Sequence, residues 1–204
     1  MTTRLSNPLS PPLPAAKKWP SQGEWTYDDY LRLPDDGRRY EIIEGVLYVS
    51  NAPSHLHQYT VGKIFLALAL YVEAMKAGEV IVAPIEVHLP GIAKPVLPDV
   101  IFIATANLPT PGFQYFNGAP DLVVEVLSPS TYRLDQSVKL DAYERAGVKE
   151  YWLANPKTRT ITVYFLPERG REYALLGEFT PGETIQSTLF PDLQLATETL
   201  FVMP

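Results

Sequence analysis

The sequence predicts an α/β (α+β) fold in a single domain, and three patterns predict it. Residues 55–77 carry apolar side chains at helical spacing, so a long helix must lie against a sheet. Short runs rich in Val, Ile, Leu and aromatic residues supply the strands. A second helix, 132–146, is ended by Gly147 and followed at once by a strand at 150–154, which makes a strand-helix-strand unit. With 204 residues, 46% of them hydrophobic, the chain can bury one full core.

Residues 1–23 hold Pro8, Pro11, Pro12, Pro14 and Pro20 and too few spaced apolar residues to pack, so they read as a proline-rich arm ahead of one domain, 24–204. Thr26 caps a short helix, 27–33, whose first turn holds Asp28 and Asp29, and Pro34-Asp35-Asp36-Gly37 ends it. Strands 39–43 and 46–50 flank the tight turn Glu44-Gly45. Ser54 then caps the long helix, whose stripe is Val61, Ile64, Phe65, Leu68, Tyr71, Val72 and Met75, with Gly78 as the stop. Strands 80–89 and 99–103 are joined by a Pro/Gly-rich link, and a loop, 104–120, leads to a strand at 121–127. Ser128-Pro129-Ser130 turns the chain into the second helix. Beyond 150–154, Asn155-Pro156-Lys157-Thr158 turns into a half-buried strand, 159–166, and short strands at 173–176 and 184–186 finish the sheet.

Composition removes several classes of function. The chain has no cysteine, so disulfides, thiolate nucleophiles and Cys-held zinc or iron–sulfur sites are excluded, and any metal must be held by oxygen or histidine. The longest apolar stretch, Ile64 to Val72, falls far short of the roughly 20 residues that span a bilayer. Lys17 and Lys18 follow prolines without an apolar central region, so no signal peptide is expected and the cytoplasm is the expected compartment. A net charge of -6 argues against coating nucleic acid by bulk electrostatics, although a metal site brings its own positive charge.

The chemistry concentrates in Asp99, Glu125 and Lys139. Pro98-Asp99 opens the run Val100-Ile101-Phe102-Ile103, and strand ends are where sites form. Glu125 interrupts Leu122-Val123-Val124-Glu125-Val126-Leu127 where period and composition ask for an apolar residue. An ionised acid there is costly unless a cation or strong donors meet it. Lys139 borders the helix stripe Leu134, Val138, Ala142 and Ala146, with Tyr143 one turn later. Magnesium commonly takes one or two protein carboxylates and completes its shell with water and phosphate oxygens, so two acids and a lysine suggest phosphodiester chemistry. Blander readings stand beside each residue. Lys139 and Asp135 could form an ordinary i, i+4 surface pair, Asp99 could simply start a strand, and Glu125 could belong to a structural ion pair.

These residues resemble a known family. Pro98-Asp99, then Asp121-Leu-Val-Val-Glu125-Val-Leu-Ser-Pro-Ser130, then Asp135, Lys139, Tyr143 and Ala146-Gly-Val-Lys-Glu-Tyr-Trp152 look like the Uma-type, restriction-endonuclease-like family of the PD-(D/E)XK nuclease superfamily, over about 40–166. The resemblance implies a restriction-endonuclease-like three-layer core, a central mixed β-sheet flanked by helices, with extra C-terminal strands. It implies a Mg2+ (or Mn2+) endonuclease acting on nucleic acid, expected to be DNA, with metal on Asp99, Glu125 and the backbone carbonyl of Val126. The superfamily places lysine two residues after the acid, where this chain has Leu127, so Lys139 from the helix is the matching replacement that positions the attacking water.

The family pattern also reaches Glu44, in Tyr40-Glu-Ile-Ile-Glu-Gly45, as an acid joining the metal shell or a second metal, against the alternative of a turn residue. His57, in Ser54-His-Leu-His-Gln58, would bind phosphate or water as neutral imidazole near a helix N-terminus, against a satisfied core histidine. Asp135 and Tyr143 are expected to support the site, and Glu86 is a weaker candidate. Tyr151, Trp152, Tyr164, Phe165 and Tyr173 are expected to form core or a homodimer face, and a homodimer would let two sites cut two strands. Two other classes compete: a non-catalytic DNA-binding or interaction protein keeping the fold, and a glycosidase using the two acids without an ion. The lysine and the resemblance argue against the glycosidase.

Overall fold

A computed structural model describes residues 18–203. Residues 1–17 of the expected proline-rich arm lie outside the described residues, while 18–23 dock on the first hairpin, where Gln22 exchanges hydrogen bonds with the Leu47 backbone at 2.7 and 3.2 Å. Thr26 caps α1 (Tyr27–Tyr30) in a capping box with Asp29. The hairpin β1 (Arg39–Ile43) and β2 (Val46–Ser50) turns at Glu44-Gly45, with Glu44 at φ 50 and Gly45 at φ 72. Gly45 has a second constraint, because a Cβ there would lie 2.3 Å from the Gly23 carbonyl oxygen.

Two mixed sheets follow from the remaining strands. The first runs β2-β1-β5-β4-β7, with β4 (Glu86–Leu89), β5 (Ala93–Val96) and β7 (Tyr115–Asn117). The second runs β11-β10-β9-β8-β6-β3, with β3 (Gly78–Val82), β6 (Val100–Ala104), β8 (Leu122–Val126), β9 (Glu150–Asn155), β10 (Thr160–Phe165) and β11 (Ala174–Phe179). The expected continuous strand 80–89 therefore divides between sheets, because Pro84 cannot donate to a ladder and breaks it. β5 and β7 escape sequence reading, since one contains Pro95 and the other has three residues. Residues 184–186 make only an isolated bridge, Thr184 to Ala196.

Alternation along the second sheet divides the core in two. On one face Val100, Phe102, Leu122, Val124, Val126 and Trp152 pack against Val61, Ile64, Leu68 and Val72 of α2 (His55–Met75). Burying each such side chain stabilises by about 1.5–3 kcal/mol. On the other face Ile101, Ile103, Val123, Tyr151 and Leu153 meet Ile43, Val87, Leu89 and Val96 of the first sheet and Tyr143 of α3 (Leu140–Ala146). The fold is thus a mixed α+β arrangement with α2 on one face of the larger sheet, as the fold-class expectation requires.

The predicted helix 132–146 is not uniform. Leu134–Lys139 forms a π-helical turn ahead of α3, and the Tyr151 hydroxyl donates to the Asp135 carbonyl at 2.9 Å. A side chain that engages a helix carbonyl in this way favours the wider turn. Gly147 closes α3 at φ 87, as expected. Tyr151 and Trp152 are fully buried core residues rather than a dimer face. Among the described residues, no helix is long and apolar enough to cross a membrane.

Candidate active site

The register of β6 and β8 brings the two acids to one place. The strands run antiparallel with Val100 opposite Val124, so Asp99 and Glu125 are the next residues outward at the same end of the pair. Parity puts both on the face shared by Ile101 and Val123, turned toward the first sheet. Asp99 is 2% exposed and closes the strand pair with its side chain, as Oδ2 accepts from the Val126 N–H at 2.9 Å. His57 Nε2 lies 3.1 Å from the same oxygen, and Arg39 donates to Oδ1 at 3.0 Å. Burial pushes the Asp99 carboxyl up, but His57, the Val126 N–H and Arg39 outweigh it and hold it below the usual carboxylate value.

Glu125 meets a different set of partners. Its Oε1 accepts from Lys139 Nζ at 3.0 Å and from the Tyr143 hydroxyl at 2.9 Å, all three side chains being buried. Lys139 also reaches Glu41 Oε1 at 2.8 Å and lies 3.7 Å from Asp135 Oδ1. Asp135, Lys139 and Tyr143 are spaced by four residues, and the π-helical turn followed by α3 carries all three to the buried side. Burial drives the Glu125 carboxyl well above its ordinary value against the attraction of Lys139, and Asp135, Asp99 and Glu41 push it further. Burial likewise raises Asp135 to about 6, with Lys139 and Thr131 opposing. Lys139 is pulled down by burial and held well above its ordinary value by Glu125, Glu41 and Asp135. Asp135 Oδ1 is buried without a hydrogen-bond partner, and so is His57 Nδ1.

Glu41 is the site residue that sequence reading missed. It is 3% exposed, holds Lys139 and accepts from the Leu97 N–H at 2.7 Å. The signal was present, since Glu41 interrupts the apolar strand Tyr40-Glu41-Ile42-Ile43 just as Glu125 interrupts its own. Glu44 corrects the expectation. It stands on the β1–β2 turn, paired with Arg145 at 2.6 Å on an exposed surface, and lines an open hollow of about 580 Å³ with Trp25, Tyr27, His88 and Lys94 instead of joining Lys139. Alternation explains the displacement, because Glu41 points inward from the strand and Glu44 lies in the turn beyond it.

Other candidates fall elsewhere. Glu86 accepts from Tyr27 at 2.9 Å and contacts His88 at 3.0 Å in the first sheet. Leu127 is a buried core residue. Two clefts share the segment Ser128-Pro129-Ser130 in their walls. The smaller, about 210 Å³, is lined by Arg39, Ser54, His57 and Thr131 and so opens on two of the partners of Asp99. The larger, about 580 Å³, is lined by Tyr132, Arg133 and Lys157.

The charge balance defines what the cluster accepts. Glu41, Asp99, Glu125 and Asp135 are buried acids, while Lys139, Arg39 and His57 are the basic side chains they meet. Acids outnumber bases here, and burial raises the Glu125 and Asp135 carboxyls, with the neighbouring acids adding to it. Among the described residues, no group of three or more His, Cys, Asp or Glu side chains is placed to hold a metal ion.

Comparison with known proteins agrees with this architecture. The crystal structure of a nuclease, titled "putative" and belonging to DUF820, from Anabaena variabilis ATCC 29413 superposes with a TM-score of 0.72 at 21% identity. The match covers 86% of this chain and 97% of that one, and at this identity it speaks for the fold. No curated protein matches the chain. Over residues 27–198 the sequence matches the model of a family described as "Putative restriction endonuclease", and the chain belongs to that family, Uma2.

Proposed function

We propose that the chain is a metal-dependent endonuclease that hydrolyses phosphodiester bonds of DNA. The observation that carries this reading is the buried Lys139 ammonium, 3.0 Å from Glu125 and 2.8 Å from Glu41, at the strand end where Asp99 is fixed to the Val126 N–H. Asp99, Glu125 and the Val126 carbonyl would hold Mg2+ or Mn2+. A bound ion there supplies a Lewis acid for the phosphate and lowers the pKa of a water molecule.

The chain's own residues do the rest. Lys139 fixes the attacking water and offsets charge developing on the phosphate, and Glu41 and Tyr143 fix Lys139 and Glu125 in turn. His57 and Arg39 keep Asp99 ionised and present the small cleft with donors for a phosphate oxygen. The crowding of Glu41, Glu125 and Asp135 around one ammonium favours this division of labour, because a cation entering the cluster offsets their mutual repulsion.

A second reading is a non-catalytic DNA-binding or interaction protein that keeps the fold. It is favoured by the net charge of -6 and by the engagement of Lys139 with two carboxylates. Incubation of plasmid DNA with the purified chain and Mg2+ or Mn2+ decides between them. The wild type is expected to nick or linearise the plasmid, and Lys139→Ala is expected to lower the rate by about 10²–10⁴-fold. Undiminished cleavage by both Lys139→Ala and Glu125→Gln would discard the site, and no cleavage by the wild type across substrates and metals would favour the second reading.

A further inference from the structure

The outward face of α2 carries a self-complementary pattern. From Ile64 to Val72 every residue is apolar; the sheet covers one side of the helix, through Val61, Ile64, Leu68 and Val72, and the C-terminal segment borders the other, where the Tyr59 hydroxyl donates to the Val202 carbonyl at 2.6 Å. On the opposite side stand Leu66, 53% exposed, and Leu70, 60% exposed. An amphipathic helix would place polar residues there, and apolar residues all round mark a helix covered on both sides. Lys63 and Glu73 bracket the leucines on the same outward side.

The spacing of these residues is symmetric about the level of Leu68. If two copies of α2 are laid antiparallel about that level, Leu66 faces Leu70 of the second copy and Lys63 faces Glu73. The same operation sets Gly62 against Ala74 and Ala67 against Ala69, so small residues flank the leucine contact and let the helices approach closely. A groove of about 160 Å³, lined by Leu66, Ala67, Leu70, Leu195 and Leu200, runs beside the leucines and can seat apolar side chains of the second copy.

We propose that the chain forms a two-fold homodimer through the outward faces of α2, with Leu66 and Leu70 at the centre and two Lys63–Glu73 pairs at the ends. This inference rests on no part of the proposed reaction. The face lies on the α2 side of the larger sheet, away from the face that carries Glu125 and Lys139, so both copies keep their clefts.

Sedimentation of the full chain over a range of concentrations tests it. The wild type is expected to dimerise, and Leu66→Glu with Leu70→Glu to be monomeric while keeping the wild-type helical signal, since both side chains are exposed. Each single reversal, Lys63→Glu or Glu73→Lys, turns two attractive pairs into repulsive ones and is expected to weaken the dimer roughly tenfold, with the double reversal restoring it. Because the chain has no cysteine, a mixture of Leu66→Cys and Leu70→Cys chains is expected to give oxidative cross-links between unlike chains, which reports the register even if a charge variant folds poorly. A wild type that is monomeric at every concentration overturns the proposal. So does a dimer indifferent to the leucine changes, or single reversals that the double reversal does not rescue.

Discussion

Glu125 and Glu150 are both buried glutamates on neighbouring parallel strands of one sheet, yet they lie on opposite faces and in opposite electrostatic conditions. Glu150 accepts from Trp152 Nε1 and Ser187 Oγ at 2.9 Å each, from Leu189 N–H at 3.0 Å, and from the Thr188 hydroxyl and N–H. Its charge is spread over neutral donors, which tie the C-terminal segment to the sheet. Glu125 shares one lysine with Glu41 and Asp135 and feels Asp99 as well. One acid has its donors complete, and the other belongs to a group with more negative charge than its surroundings compensate. Burial alone therefore does not mark a site, whereas uncompensated burial does.

The sharpest way to break this contrast is to neutralise each acid in turn. Glu150→Gln sets an amide N–H2 against donors that need an acceptor and is expected to destabilise by about 2–4 kcal/mol, leaving Mn2+ affinity unchanged. Glu125→Gln removes charge from an over-acidic cluster and is expected to change stability by no more than about 1 kcal/mol while abolishing Mn2+ binding and cleavage. Urea melts and metal titration read both. A large stability loss in Glu125→Gln, matching that of Glu150→Gln, would make the two acids alike and end the distinction.

A smaller effect lies in the pH dependence of stability. Asp135 binds its proton more tightly folded, near pH 6, than at its ordinary value of 3.8. Stability from the neutral form is therefore full below about pH 4 and lost as pH rises through about 6, on the order of 2–3 kcal/mol in all. Asp99 acts in the opposite sense, its contribution being lost only as pH falls below the ordinary carboxylate range. Asp135→Asn is expected to flatten the loss between pH 4 and 7 in metal-free urea melts, and an unchanged slope would assign it to another group. The smallest effect is expected at Glu44. Glu44→Gln should leave cleavage within about twofold, since its exposed pair with Arg145 is of the kind that contributes little, whereas Glu41→Gln should slow cleavage markedly by loosening Lys139. Equal rates for the two variants would remove Glu41 from the site.

Sequence alone disclosed the acids that violate a strand's apolar pattern and the helix that carries Lys139, because those signals are local. The same signal at Glu41 was overlooked in favour of Glu44, whose Glu-Gly turn matched a familiar pattern but whose side chain points away. The division of 80–89 between two sheets was not legible, since strand partners are set by contacts distant in sequence. Glu150 gave no sign of its role, because its donors Ser187, Thr188 and Leu189 come from a segment almost forty residues on with no regular element of its own.

The wide turn at Leu134–Lys139 has a consequence for how the proposed site is lost or kept. A wide turn of this kind carries one more amino acid than the ordinary spiral needs, so deleting one amino acid there would let the spiral close normally with the segments on either side still in phase. Asp135 and Lys139 would then stand three residues apart instead of four, which re-spaces the acid and the ammonium without replacing either. A single-codon deletion would thus detune the pocket while leaving the scaffold standing, and a variant of that kind separates the two more cleanly than any point change.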